Sequence, residues 1–318
     1  MRIAILDDYQ GVALDVADWS ALDAEIEVFR EQLGDADAVV ATLRGFDVVV
    51  AMRERTPFPR AVLARLPGVR LLVTTGMRNA SIDVAAANEF GITVCGTRGG
   101  TTTVELAWAL ILELVRGVAY DDAVVRAGGW QTSLPGDLEG ATLGVVGLGR
   151  LGQRVAAIGR AFGMDVIAWS PNLTEERAAS VGATAVTKAE LFERADVVTI
   201  HLVLSDTTRG LISADDLRRM RRDAVLVNTS RAPIIDEGAL LRAVAERWIA
   251  GLGLDVYEVE PLPAHHWLRQ PDAPGGTRVL RSPHMGYVTR ANYRTFYGDA
   301  VDDIAAFASG APVRELTG

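Results

Sequence analysis

The amino-acid sequence predicts an α/β protein built from parallel sheets that helices cover on both faces. Short apolar segments alternate with amphipathic segments along the 318-residue chain, which is the rhythm of strand–helix–strand units. The apolar segments lack the every-second-residue alternation of half-exposed strands, so we expect both faces of each sheet to be buried. The strand candidates are Arg2–Leu6, Val48–Ala51, Leu71–Thr74, Thr93–Cys95, Leu143–Val146, Asp165–Ala168, Val197–His201, Val225–Asn228 and Gly251–Asp255.

The segment Val104–Val118 differs from the other helix candidates because it is apolar almost all round. A helix of this kind is buried on most of its sides. We therefore expect it to pack between domains or against a second subunit.

Composition excludes several classes of function. The 32 basic and 41 acidic residues give a net charge of −9, and an acidic surface repels the phosphates of nucleic acids. The single cysteine, Cys95, excludes disulfides and cysteine-rich zinc sites, and we expect it to be a small buried strand residue. Lys188 is the only lysine, so a lysine-based mechanism would have to use this residue. No metal site is predicted.

The beginning of the chain has no targeting pattern. Residues Met1–Asp8 form a short strand that ends in acidic residues, without the apolar core of a signal peptide. No apolar run reaches the roughly 18–20 residues that a membrane span requires. The sequence therefore predicts a cytoplasmic protein that does not bind membranes.

A glycine motif in the middle of the chain predicts a dinucleotide site. The strand Thr142–Val146 runs directly into a Gly-x-Gly-x-x-Gly turn, and Gln153–Phe162 then has helical periodicity. In such a turn the first glycine permits the tight bend, the second lets the backbone approach a pyrophosphate, and the third allows close helix packing. The N-terminus of the helix offers N–H donors to the phosphates. The predicted cofactor-binding residues of this motif are Gly147, Gly149, Arg150, Leu151 and Gly152.

The end of the next strand bears on the choice of cofactor. An acidic residue at this point binds the adenosine 2′-hydroxyl of NAD, but here the strand is followed by Ser170, Pro171 and Asn172. The missing carboxylate permits a 2′-phosphate without requiring it, and the nearest arginine is Arg177. Ser170 and Asn172 are predicted cofactor-binding residues, and the sequence favours NADP(H) over NAD(H).

Further along the chain, ionisable residues follow the ends of predicted strands. Arg231 comes after one strand, Asp255 and Glu260 after the next, and His284 stands in a later loop. Ligands of open α/β sheets bind at the carboxyl ends of the strands. We therefore expect these side chains to meet at one edge of a sheet.

Four ordered motifs resemble the D-isomer-specific 2-hydroxyacid dehydrogenase family. They are Gly-Leu-Gly-Arg-Leu-Gly, Asn-Thr-Ser-Arg, Asp-Val-Tyr-Glu-Val-Glu-Pro and Ser-Pro-His-Met-Gly, within matching stretches from Val73 to Tyr287. Two departures affect loop shape: Val203 stands where proline is usual, and Ala232 stands where glycine is usual.

The resemblance implies a role for each catalytic candidate. His284 matches the histidine that exchanges a proton with the substrate oxygen. Glu260 matches the acid that hydrogen-bonds this histidine, and a nearby carboxylate favours the imidazolium form. Arg231 matches the arginine that binds the substrate carboxylate with its planar guanidinium fork.

The resemblance also implies the remaining binding residues. Asp255 matches the acid that orients the nicotinamide, and His201 and Thr229 fall in segments that line the cofactor. The loop after an early strand matches the one whose backbone binds the substrate carboxylate. The substrate-binding candidates are Met77, Arg78, Asn79 and Arg231.

The sequence then divides into two Rossmann-like, doubly wound domains with a cleft between them. Residues 1–98 with 290–318 are expected to form a flavodoxin-like, substrate-binding domain, and residues 99–289 a dinucleotide-binding Rossmann domain. The apolar segment Val104–Val118 and the oligomeric state that the family resemblance implies both indicate a homodimer.

The expected function is NAD(P)-dependent reduction of a 2-keto acid to the D-2-hydroxy acid. Glyoxylate or hydroxypyruvate reductase and a 3-phosphoglycerate dehydrogenase-like enzyme remain open as alternatives within the family. A corepressor-like protein that senses the dinucleotide is the alternative of another class. A short-chain dehydrogenase is excluded, because Thr184 occupies the place of the tyrosine four residues before Lys188.

Overall fold

The computed structural model describes residues 1–270 and 273–317. The strands are β1 (Arg2–Ile5), β2 (Glu25–Val28), β3 (Val48–Ala51), β4 (Leu71–Thr74), β5 (Thr93–Gly96), β6 (Thr142–Val146), β7 (Asp165–Trp169), β8 (Thr184–Ala185), β9 (Val197–Ile200), β10 (Val225–Asn228), β11 (Gly251–Leu254) and β12 (Arg278–Arg281). The α-helices are α1 (Ala13–Val16), α2 (Ala36–Leu43), α3 (Arg60–Leu63), α4 (Val84–Glu89), α5 (Thr103–Arg116), α6 (Val118–Arg126), α7 (Arg150–Ala161), α8 (Glu175–Ala179), α9 (Lys188–Arg194), α10 (Ala214–Arg219), α11 (Glu237–Ala245) and α12 (Arg290–Ala308).

The chain forms two units, one from Met1–Gly100 with the residues from Val288 onward, the other from Thr101–Tyr287. The first unit contains a parallel sheet of order β2-β1-β3-β4-β5, which is the flavodoxin-like order. Helices α2, α3 and α4 cover one face, and α12 packs on β4 across the other face. Cys95 is fully buried in β5, as the sequence predicts.

The second unit contains a parallel sheet of order β12-β11-β10-β9-β6-β7-β8. Read from β8, this is the Rossmann order with one further strand at its end. One face carries α5 and α7, and the other face carries α9, α10 and α11. The predicted fold class, α/β with parallel sheets between helical layers, is therefore confirmed.

Helix α5 corresponds to the predicted apolar segment, with slightly different ends. It ends at Arg116 because Gly117 adopts a left-handed conformation with φ of 69° and its N–H closes the last turn on the Glu113 carbonyl. Its buried face packs on α7, β10 and β11. The apolar side chains of α5 are therefore buried largely by contacts within the second unit.

Three strands were absent from the sequence prediction, namely β2, β8 and β12. Each of them lies at an edge of its sheet. In the part of the chain that the structure describes, no helix combines the length and apolarity that crossing a lipid bilayer requires.

Candidate active site

The glycine turn lies between β6 and α7. Gly147 has a φ of +98°, and a side chain there would meet the His201 carbonyl at 2.7 Å. Its N–H donates to the Trp169 carbonyl at 2.8 Å, which fixes the turn against the end of β7. A side chain at Gly152 would overlap the Gly147 carbonyl oxygen. Local packing therefore requires glycine at both positions.

The space in front of this turn fits a dinucleotide. Among the described residues, none except Gly149 and its two chain neighbours has an atom within 4 Å of the position that a Cβ of Gly149 would occupy. Gly149 is the N-cap of the 12-residue helix α7. Arg150 and Leu151 form the first turn of this helix. Its exposed N–H groups and positive dipole end suit a pyrophosphate.

Two buried polar atoms near the ends of β9 and β10 support the same fit. His201 Nδ1 and Thr229 Oγ1 are buried and have no hydrogen-bond partner among the residues that the structure describes. Buried polar atoms normally have partners, so a bound ligand would satisfy them. His201 Nε2 lies 2.9 Å from Thr199 Oγ1. Burial lowers the pKa of His201 to about 4, so this imidazole is neutral at physiological pH.

Ser170 and Asn172 follow β7 directly, where the sequence predicts contact with the adenosine ribose. Ser170 is half-buried and its carbonyl accepts from the Leu173 N–H at 3.1 Å, while Asn172 is exposed. The structure places these short polar side chains one strand away from the glycine turn. The carboxylate that would repel a 2′-phosphate is absent from this strand end.

The catalytic candidates follow three neighbouring strands, since β10 pairs with β11 and β11 pairs with β12. His284 and Glu260 form a direct pair, with Nδ1 of the histidine 2.6 Å from Oε2 of the glutamate. Their side chains are 15% and 21% exposed, so solvent screens the pair only in part. Glu260 Oε1 accepts the Tyr257 N–H at 3.0 Å. A carboxylate held at both oxygens can orient the imidazole and stabilise its positive charge.

His284 lies in a loop whose backbone is held from several sides. His284 itself adopts a left-handed backbone conformation, with a φ of 57°. Asp255, which is 1% exposed, accepts the Met285 N–H at 2.7 Å and the Gly286 N–H at 2.9 Å. Burial raises the pKa of Asp255, and hydrogen bonds from Ser282 and from this backbone oppose that shift.

Helix α5 supplies a further contact to the same loop. The hydroxyls of Thr102 and Thr103 both donate to the Gly286 carbonyl, at 2.9 and 3.1 Å. Asp255, directly after β11, and the start of α5 thus hold the loop at the two residues that follow His284.

Arg231 lies in the loop after β10 and is half-buried. The Asn228 side chain shapes this loop, because its Nδ2 donates to the Arg231 carbonyl at 3.0 Å and its Oδ1 accepts the Ser230 N–H at 2.9 Å. Arg231 Nη1 donates to the Ser230 carbonyl at 2.8 Å. The turn therefore sets the direction in which the guanidinium leaves the backbone.

In the first unit, Met77, Arg78 and Asn79 form the loop after β4. Met77 and Arg78 are exposed, whereas Asn79 is 8% exposed. The Asn79 amide donates to the Thr74 hydroxyl at 2.8 Å and to the Arg53 carbonyl at 2.6 Å. Its side chain therefore builds the loop, while the other two side chains face solvent.

Sequence reasoning missed three residues that hold the His284 loop: Tyr257, Thr102 and Thr103. Tyr257 stands in the Asp-Val-Tyr-Glu-Val-Glu-Pro motif, where the resemblance implies roles only for Asp255 and Glu260. Hydroxyl-to-carbonyl bonds between distant loops leave no pattern in a single sequence. No signal in the chain would have identified the two threonines.

Comparison with known proteins gives consistent results. Residues 108–286 match the family described as "D-isomer specific 2-hydroxyacid dehydrogenase, NAD binding domain". A glyoxylate reductase of Aeropyrum pernix is 38% identical over 260 residues, covering 78% of this chain and 76% of that protein. A D-3-phosphoglycerate dehydrogenase of Bacillus subtilis is 32% identical over 292 residues, covering 91% of this chain but 54% of that longer protein.

The solved structures agree. A phosphoglycerate oxidoreductase from Vibrio cholerae is 35% identical, with a TM-score of 0.89, over 98% of this chain and 100% of the other.

Proposed function

Since the chain belongs to the D-isomer-specific 2-hydroxyacid dehydrogenase family, we propose that it reduces a 2-keto acid to the D-2-hydroxy acid with a nicotinamide cofactor. The observation that carries this proposal is the 2.6 Å contact between His284 Nδ1 and Glu260 Oε2. A histidine oriented by a carboxylate is a suitable acid and base near neutral pH.

His284 is the proposed proton donor. Because Nδ1 is engaged with Glu260, Nε2 is the atom from which the proton passes to the keto oxygen. Glu260 stabilises the imidazolium before transfer and fixes the orientation of the ring. In the reverse direction the neutral imidazole accepts the hydroxyl proton.

Arg231 is the proposed binding residue for the substrate carboxylate. A guanidinium presents paired N–H groups to a planar carboxylate and keeps its charge at every working pH. The same charge stabilises the alkoxide that develops on the keto oxygen. The assignment of the Met77–Asn79 loop to the substrate carboxylate rests on the family resemblance.

The proposed cofactor site consists of the glycine turn, Ser170, Asn172, His201, Thr229 and Asp255. When bound, the nicotinamide supplies or accepts the hydride. The open space at Gly149 and the buried polar atoms of His201 and Thr229 support this assignment. NADP(H) is preferred over NAD(H), because Ser170 replaces the acid that would repel a 2′-phosphate.

The substrate class remains that of a small 2-keto acid. Two relatives are named for glyoxylate and for D-3-phosphoglycerate, so both compounds belong in the first substrate panel, the second as the product offered in the oxidative direction. Hydroxypyruvate, pyruvate and phenylpyruvate complete a series of increasing side-chain size.

A homodimer is also part of the proposal. Helix α6 has no buried residue among those described, and large apolar side chains are exposed on it and on the loop that follows. They are Val118, Tyr120, Val125, Trp130 and Leu134. Large apolar side chains exposed in this number on one helix and the loop after it favour a protein interface. Light scattering at micromolar concentration should give twice the 34.1 kDa chain mass.

The test of the activity is loss of nicotinamide absorbance with NADPH and with NADH separately, against each keto acid of the panel. Turnover on any member supports the dehydrogenase assignment, and the ratio of the two cofactors tests the Ser170 argument. Absence of turnover on the whole panel, with the cofactor still bound, would contradict it and favour a sensor of the dinucleotide.

A further inference from the structure

Tyr257 contacts both loops that carry the catalytic pair. Its backbone N–H donates to Glu260 Oε1 at 3.0 Å, and its phenolic hydroxyl donates to the Ser282 carbonyl at 3.0 Å. The same Ser282 carbonyl accepts the His284 N–H at 3.0 Å. Tyr257 thus connects the loop of Glu260 to the loop of His284 through two hydrogen bonds.

The Tyr257 hydroxyl holds the His284 loop before the histidine, whereas the other hydrogen bonds described above hold it after the histidine. Asp255 and the two threonines of α5 hold Met285 and Gly286, which come after His284. The tyrosine hydroxyl holds the backbone carbonyl two residues before it. The left-handed residue His284, with a φ of 57°, is therefore bracketed on both sides by hydrogen bonds.

The phenol suits this task because it remains a donor across the working pH range. Burial, with the nearby charges of Asp255 and Glu260, raises the pKa of Tyr257 to about 12. A tyrosine also presents its hydroxyl on a rigid ring, so little conformational freedom is lost when the bond forms. Phenylalanine would fill the same space without the tether.

We propose that Tyr257 is a positioning residue whose hydroxyl, by holding the Ser282 carbonyl, sets the distance between His284 and Glu260. This inference rests on the proposed function only for its effect on catalysis. The tether itself acts on the geometry of the pair, which can be measured without any substrate.

The test is Tyr257→Phe, with Tyr293→Phe as the matched control. Tyr293 is buried, whereas Tyr257 is partly buried, and its hydroxyl donates to the Gln10 side chain, to Oε1 at 2.9 Å, within the first unit. Both variants lose one hydroxyl and keep the ring. Thermal unfolding of each variant measures the purely structural cost.

The first readout is the proton NMR signal of the imidazole C2–H groups. The chain has four histidines, so the signal of His284 can be identified with His284→Ala. Tyr257→Phe should move the His284 signal and change the pH at which it titrates, while the signals of His201, His265 and His266 stay in place. Tyr293→Phe should move none of them.

The second readout compares the effect of the substitution on kcat with its effect on KM and on the Kd of the cofactor. Tyr257→Phe should lower kcat roughly tenfold, since small misplacements of a catalytic group are costly, and should leave KM for the keto acid and the Kd of the cofactor within about twofold. The high-pH limb of kcat/KM for reduction should move to lower pH. A merely structural role would lower the melting temperature and leave this limb unchanged.

The outcomes separate the two proposals. An unchanged His284 signal and an unchanged pH profile in Tyr257→Phe would overturn the tether, whatever the activity of the unmodified chain. A displaced signal in a chain without turnover on any keto acid would support the tether and overturn the proposed function.

Discussion

Glu260 and His284 are 24 positions apart in the chain, yet Oε2 of the first and Nδ1 of the second are separated by 2.6 Å. The contact depends on two loops that follow the neighbouring strands β11 and β12. The contact between the two side chains therefore forms only when both loops adopt the conformations described above.

Removal of the imidazole should abolish most of the activity. His284→Ala should lower kcat by roughly 10²–10⁴-fold, as loss of a general acid does, with cofactor affinity nearly intact. Steady-state kinetics and titration of NADPH fluorescence measure the two effects. His265→Ala, a change at an exposed loop residue, is the control. Turnover close to that of the control would refute the role of His284.

Two glycines of the turn should respond differently to the same methyl group. Gly149→Ala adds a Cβ in open space, so the melting temperature should not change, but the methyl group stands where the pyrophosphate is proposed to bind. Cofactor affinity should then fall by about tenfold or more. Gly152→Ala would overlap the Gly147 carbonyl oxygen and should lower the melting temperature itself. Full cofactor affinity in Gly149→Ala would rule out this binding site.

The cofactor preference should depend on the residue after β7. Ser170→Asp introduces a carboxylate that can bind a 2′-hydroxyl and repel a 2′-phosphate, so the ratio of kcat/KM for NADH to that for NADPH should rise at least about tenfold. Ser180→Asp adds the same charge at an exposed position of the same unit and should leave the ratio unchanged. An equal ratio in both variants would mean that Ser170 does not face the ribose.

A buried carboxyl on α12 should make stability depend on pH. Asp303 is fully buried and accepts from Arg314 Nε at 3.0 Å, but burial raises its pKa to about 7, against 3.8 for the free side chain. Between these two pH values the unfolded chain has released a proton that the folded chain still holds. The contribution of Asp303 to the free energy of unfolding therefore falls as pH rises through this window.

Asp303→Asn removes that titration. The melting temperature of the variant, minus that of the unmodified chain, should increase from about pH 4 to pH 7 and stay constant above it. Circular dichroism melts at pH 5 and pH 8 measure the difference. Asp302→Asn, at the exposed neighbour, should show a much smaller change. A difference independent of pH in Asp303→Asn would contradict the argument.

The central strands could be predicted from the sequence, whereas three of the four edge strands could not, since β5 is among the strand candidates but β2, β8 and β12 are not. Strand β3, Val-Val-Val-Ala, is apolar at every position because both of its faces are buried, and β4 is apolar except for Thr74 at its end. The missed strand β2 has the sequence Glu-Ile-Glu-Val, and β12 begins and ends with arginine. An edge strand is only partly covered, so it does not need the continuous apolar run on which the prediction relied.

Some contacts of the candidate site could be predicted from the sequence and others could not. The family resemblance implies that His284 and Glu260 are partners, and the structure brings their side chains together. The direction of the Asp255 carboxylate could not be foreseen. Both of its oxygens accept backbone N–H groups of the His284 loop, and such a contact depends on how two loops meet in three dimensions.

The burial of Cys95 makes the chain convenient for site-specific labelling. It is the only cysteine, it is inaccessible in β5, and burial raises its pKa to about 12. Roughly one thiol in 10⁵ is then ionised at pH 7, and the thiolate is the species that reacts with maleimides. A second cysteine placed at an exposed position, such as Ser309, would take up a fluorophore alone, without prior removal of the natural one.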